Sequence, residues 1–132
     1  MKGLVLVVDD DPDSRAVARD ALQRDGYEVV EAADGREALR ATSQRPPDVI
    51  FLDLTMPVMD GWEAARRLRG GSGPRAQLVA YTAHALPGDR EKVLAAGFDD
   101  YLAKPCSPRD IVRKAAEGAA RATAAREKGG HV

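Results

Sequence analysis

Short apolar runs alternate along the chain with longer stretches whose apolar positions recur every three to four residues. Leu4-Val5-Leu6-Val7-Val8 is apolar at every position, as a strand covered on both faces must be. Asp11 and Pro12 then mark a helix start, with Asp11 as N-cap and Pro12 at the first helical position. Ala18, Ala21 and Leu22 share one face of that helix, and Gly26 supplies a left-handed stop. A second strand is expected over residues 27–32, where Val29 and Val30 sit at the centre. Asp34 and Glu37 form a capping-box-like pair opening a helix that runs to about Gln44. Pro46-Pro47 breaks the chain before Asp48-Val49-Ile50-Phe51-Leu52, a third buried strand that ends at Asp53.

The Asp-x-x-Glu signal recurs at Asp60 and Glu63, with Ala65 and Leu68 following at helical spacing. Gly70-Gly71-Ser72-Gly73-Pro74 is a loop too short to link domains. Gln77-Leu78-Val79-Ala80-Tyr81 reads as a fourth strand ending at Thr82, and a helix over residues 89–96 stops at Gly97. Asp99-Asp100-Tyr101-Leu102-Ala103 is a short fifth strand ending at Lys104. Ser107 and Pro108 open the last helix as N-cap and first helical residue. Five strands alternating with five helices predict an α/β domain, a doubly wound five-stranded parallel sheet.

Composition narrows the function without choosing it. With 132 residues there is room for one ordinary domain, expected over residues 1–120 with a short tail, helix end or disordered, over 121–132. Twenty basic against twenty-one acidic residues, net charge -1, argue against direct nucleic-acid binding through overall basicity. One cysteine, Cys106, makes no internal disulfide and asks for no oxidising compartment. The apolar run near Met1 is short, meets three aspartates and has no small-residue cleavage site, and no stretch reaches the ~20 residues of a membrane span. A cytoplasmic location with no membrane partner is the expectation.

Ligands of an open parallel sheet bind beyond the carboxyl ends of its strands. Those ends are Asp9-Asp10-Asp11, Asp53, Thr82 and Lys104, so carboxylates, a hydroxyl and an ammonium are expected at one rim. Clustered carboxylates repel one another, and a hard cation such as Mg²⁺ relieves that strain. A lysine beside them pairs with a carboxylate or a phosphate oxygen, and a carboxylate can itself attack phosphorus. The set suits phosphoryl transfer to an acidic side chain.

Four strings carry a family resemblance: Val7-Val8-Asp9-Asp10-Asp11, Phe51 through Gly61 (FLDLTMPVMDG), Tyr81-Thr82-Ala83 and Tyr101-Leu102-Ala103-Lys104-Pro105. In order and approximate spacing, over about residues 4–118, they resemble response-regulator receiver domains of the CheY-like type. The resemblance implies a flavodoxin-like (βα)5 fold with strand order 2-1-3-4-5. It also implies that Asp53 is the phosphoacceptor of a two-component phosphorelay, served by a histidine kinase or a histidine phosphotransfer protein. By the same resemblance Asp9, Asp10, Asp53 and the backbone carbonyl of Thr55 hold Mg²⁺, with Asp10 the direct ligand of the acidic pair. Thr82 and Lys104 bind the phosphoryl oxygens, and Tyr101 matches the aromatic switch. Thr55 and His84 occupy the positions that tune dephosphorylation. The output is a change on the helix 4, strand 5, helix 5 face, read by a downstream protein. The implied role is a switch and not an enzyme, monomeric or a weak phosphorylation-dependent dimer.

The sequence departs from the pattern where Cys106 replaces a frequent phenylalanine, and where the last helix offers Ala115, Ala116, Ala119 and Ala120 in place of larger aliphatics. The chain also stops soon after that helix, so no attached output domain is expected, unless this is a piece of a longer protein. Other readings stay open at single positions. Tyr101 could be plain packing, His84 a solvated residue, Trp62 packing or a partner contact, and Cys106 an inert filler or a redox sensor. Two rival functions also remain. Asp9 and Asp11 could form the Asp-x-Asp pair of a haloacid-dehalogenase-like phosphatase, although Asp13 departs from that motif. A flavodoxin-like cofactor binder would need a Ser, Thr and Gly-rich first loop, and three aspartates repel phosphate.

Overall fold

Alternation inside strands that look uniformly apolar builds two cores instead of one. Leu6, Val8, Ile50, Leu52, Leu78 and Ala80 point to one side of the sheet, while Val5, Val7, Val49, Phe51, Val79 and Tyr81 point to the other. Each set needs its own helical cover, and the chain supplies both. The computed structural model describes residues 2–54, 61–69, 76–83, 88–104 and 106–129.

The strands are β1 (Leu4–Val8), β2 (Glu28–Ala32), β3 (Val49–Leu52), β4 (Gln77–Thr82) and β5 (Asp100–Ala103). They pair in parallel in the order β2-β1-β3-β4-β5, with Val7 opposite Phe51 and Tyr81 opposite Leu102. The helices are α1 (Pro12–Arg24), α2 (Gly35–Gln44), α3 (Gly61–Arg69), α4 (Asp89–Ala95) and α5 (Pro108–Gly129). Ala18 and Leu22 of α1 and Ile111 and Ala115 of α5 close one core, and Ala38, Ala64, Ala65 and Val93 of α2, α3 and α4 close the other. This is the expected doubly wound (βα)5 architecture. Among the described residues no helix is long and apolar enough to cross a membrane.

The predicted caps form. Asp11 accepts from the Asp13 N–H at 3.0 Å, Asp34 from the Glu37 N–H at 2.9 Å, and the Ser107 hydroxyl from the Asp110 N–H at 3.2 Å. Gly26, at φ 98°, makes the left-handed turn into β2. The strand starts differ by one residue, for local reasons. Tyr27 donates its N–H back to the Leu22 carbonyl at 3.1 Å, so it still belongs to the end of α1, and β2 begins at Glu28. Asp48 turns its carboxylate onto the Leu4 N–H at 3.0 Å, and Asp99 onto the Leu78 N–H at 2.9 Å, and both lie just outside β3 and β5.

The small residues of α5 have a packing cause. A Cβ on Gly118 would stand 3.0 Å from Val49 Cγ2, so this helix lies close against the sheet. Ala115 and Ala122 are buried along the same helix, which continues through residues 121–129. Larger aliphatics on that stripe would lift α5 away from β3 and β4.

Candidate functional site

Strand alternation also decides which side chains meet at the carboxyl rim. Continued past β1, β3 and β5, it turns Asp9, Asp53 and Lys104 toward the same side as Tyr81, and Thr82 toward the side of Tyr101. The ladder itself extends to these residues, since the Asp9 N–H donates to the Ala32 carbonyl at 3.1 Å and the Asp53 N–H to that of Val8 at 3.0 Å. The Lys104 N–H donates to the Thr82 carbonyl at 2.8 Å. Backbone pairing therefore holds three of the rim residues on a rigid sheet.

Asp9 is fully buried and Asp53 nearly so, while Asp10 is exposed. Lys104 Nζ lies 2.6 Å from Asp9 Oδ2 and 3.5 Å from Asp53 Oδ2. Burial works against the charge of Asp9, but hydrogen bonds from Lys104, Ser14 and the Asp11 N–H outweigh it and hold the carboxyl below its ordinary value. One oxygen each from Asp9, Asp10 and Asp53 lie within 4.8 Å of one another. A hard divalent cation favours this donor set, all oxygen and strongly anionic.

Two contacts outside the predicted set brace this rim. Arg15 of α1 donates from Nη1 to the Asp9 carbonyl at 2.7 Å and from Nε to Glu31 Oε1 at 3.0 Å, tying the acidic loop to the β2 edge. Gly61 opens α3 so close to Asp53 that a Cβ there would fall 2.1 Å from the Asp53 carbonyl oxygen. Its N–H donates to the Leu54 carbonyl at 3.1 Å. The Arg15 contact was legible only as a helical position one turn after Asp11, a weak signal. Tyr81 also lies at this rim, with the Lys104 ammonium 4.6 Å from its ring centre.

Thr82 is fully buried at the end of β4. Tyr101 is half-buried and packs on the core beneath α3 and α4. Thr55 and His84, expected as a carbonyl ligand and a tuning residue, lie outside the described residues. Asp11 spends its carboxylate on the α1 cap, which weakens an Asp9–Asp11 catalytic pair. Burial pushes the Cys106 thiol above its ordinary value, so it rests as a neutral filler 4.0 Å from the Tyr81 hydroxyl. Trp62 meets Phe98 edge-on at 6.0 Å and is otherwise partly exposed.

A doubly wound sheet with an acid cluster, a threonine and a lysine at its carboxyl rim defines a class of phosphate-handling α/β domains. Comparison with known proteins is more specific. The response regulator receiver domain matches residues 5–116. An uncharacterized 14.6 kDa protein of Leptolyngbya boryana is 40% identical over 110 residues, 83% of this chain and 84% of that one. The transcriptional regulatory protein KdpE of Mycobacterium tuberculosis is 38% identical over 124 residues, and the chain spans only 54% of its length. The chemotaxis protein CheY4 of Vibrio cholerae superposes with a TM-score of 0.80 at 35% identity, covering 86% of this chain and 96% of its own. The receiver domain of the sensor histidine kinase PA1611 from Pseudomonas aeruginosa PAO1 superposes at 0.76 with 40% identity, covering 84% and 92%. Its magnesium ion is coordinated in the active-site cleft.

The chain belongs to the response regulator receiver domain family. Receiver domains are the phosphoacceptors of two-component systems, typically with Mg²⁺, and are not classical enzymes.

Proposed function

We propose that this chain is a phosphorylation-dependent switch whose acceptor is Asp53. The observation that carries the reading is the convergence of Asp9, Asp10, Asp53 and Lys104, four residues from three strand ends, on one small volume. The Asp53 carboxylate attacks phosphorus of a phosphohistidine donor, the P–N bond breaks, and its electron pair leaves with the imidazole. Lys104 and the Thr82 hydroxyl receive the phosphoryl oxygens. Asp9, Asp10, Asp53 and the Thr55 carbonyl are the residues that would hold Mg²⁺, which supplies neutralising charge on those oxygens when bound. Phosphorylation adds close to two negative charges and three acceptors at a site already rich in carboxylates. Thr82 and Lys104 are drawn inward, Tyr101 turns with them, and the α4–β5–α5 face changes for a downstream protein. The donor is a histidine kinase or a histidine phosphotransfer protein, in the cytoplasm. The reading places the switch in residues 1–120, with residues from 121 onward as the end of α5 and a short tail.

Incubation with acetyl phosphate and Mg²⁺ is expected to add one hydroxylamine-sensitive phosphoryl group per chain, absent from Asp53→Asn. A label retained in that variant would move the acceptor elsewhere. Repeated turnover on phosphate monoesters would instead favour the phosphatase reading.

A further inference from the structure

Tyr81 has no part in the function proposed above, yet it touches that site. Its side chain is buried beside Thr82, and the Lys104 ammonium lies 4.6 Å from the centre of its ring. A cation over an aromatic face is attracted within about 6 Å of the centroid. Phe51 meets the ring edge-on at 6.0 Å and 83°, which fixes its plane. The Lys104 side chain is only 16% exposed, so water solvates the ammonium little and the ring face makes up part of the loss. Burial raises the Tyr81 phenol above its ordinary value, and the ring stays neutral. The hydroxyl meets the Cys106 sulfur at 4.0 Å and hydrogen-bonds with Ser14, while the ring face meets the ammonium.

We propose that Tyr81 is a positioning residue for Lys104, whose ring holds the ammonium in the cleft as it passes from Asp9 to the oxygens of phosphorylated Asp53. This rests on Asp53 being the phosphoacceptor. One ammonium reaches both carboxylates, at 2.6 Å from Asp9 and 3.5 Å from Asp53, so a short movement would exchange the nearer partner. The ring face lies against the ammonium at that point. An aliphatic side chain of similar volume would fill the core equally well and leave the ammonium to find solvent instead.

The test compares Tyr81→Phe, Tyr81→Leu and a series of increasingly fluorinated phenylalanines at position 81, which keep the shape while weakening the π face. In the unphosphorylated protein without added metal, NMR should find the Lys104 ε-methylene protons shifted upfield. The shift should persist in Tyr81→Phe and vanish in Tyr81→Leu. Phosphorylation by acetyl phosphate with Mg²⁺ should slow about three- to tenfold in Tyr81→Leu, stepwise with fluorination, and less than about twofold in Tyr81→Phe. Thermal midpoints should stay level across the fluorinated series while the rate falls, a split that a purely packing role would not produce. If Tyr81→Leu does not fold, that series decides alone. Unshifted Lys104 protons, or a rate indifferent to fluorination, would overturn the proposal. If the unaltered protein takes no label on Asp53, the phosphoacceptor reading fails, while the NMR measurement still judges the ring contact.

Discussion

The two ends of the sheet use the same residue types to opposite effect. At the amino end, Asp100 meets Lys114 at 3.0 Å and Arg121 at 3.7 Å, and Asp99 meets Arg69, which also donates to the Gly97 and Ala76 carbonyls. Among the described residues, three cations there serve three acids, since Lys114 also meets Glu117 at 3.7 Å. At the carboxyl end Lys104 serves both Asp9 and Asp53, with Asp10 beside them. The first cluster stitches β5 to α5 and α3. The second, an all-oxygen acidic set, is of the kind that a hard cation favours. The way cations and acids are matched therefore separates the two ends, although both are rich in aspartate.

Substitutions that disturb one end should leave the other alone. The largest effect is expected for Asp10→Asn, which removes an exposed rim acid and should weaken Mg²⁺ binding about ten- to a hundredfold by calorimetric titration. Thermal stability without metal should hold or rise as repulsion is relieved. Unchanged Mg²⁺ affinity would show that the rim is not where the cation sits. Asp100→Ala should do the reverse, lowering unfolding free energy by about 1–2 kcal/mol in urea, since it removes the nearer partner of Lys114 and the Arg121 contact. Mg²⁺ affinity and phosphoryl uptake should not move, and a loss of either would mean the two ends are coupled.

The smallest effect concerns Asp110, an acid on the carboxyl side whose charge is compensated on the spot. It accepts from the Ser107 N–H at 3.3 Å, caps the start of α5 reciprocally with Ser107, and has its carboxyl lowered from 3.8 mainly by that backbone bond. A lowered folded-state value means the contribution is complete above 3.8 and is lost as pH falls through the folded value. Asp110→Asn should therefore cost a little stability near neutral pH, and its melting curve should converge with that of the unaltered protein in acid. A gap that persists in acid would assign the effect to something other than this charge.

How much could be read beforehand varies with the range of the interaction. Helix caps at Asp11, Asp34 and Ser107 were legible because each depends on two or three neighbouring residues. Strand ends at Asp48 and Asp99 were misplaced by one residue because a carboxylate from outside each strand reaches a distant N–H. The ordered appearance of Asp9, Asp53 and Lys104 at strand ends made their meeting foreseeable. The ring of Tyr81 under Lys104 and the arm of Arg15 on the Asp9 carbonyl were not, since neither pair is marked by local pattern.

What sequence alone determined is the alternation of elements, the two-sided burial of the central strands and the types of side chain at their ends. These follow from periodicity and from the chirality of parallel crossovers, which act over short spans. Tertiary structure decided the charge balance. Which aspartates receive two cations and which must share one depends on helices packed from far along the chain. Long side chains cross from one element to another only after the sheet has closed.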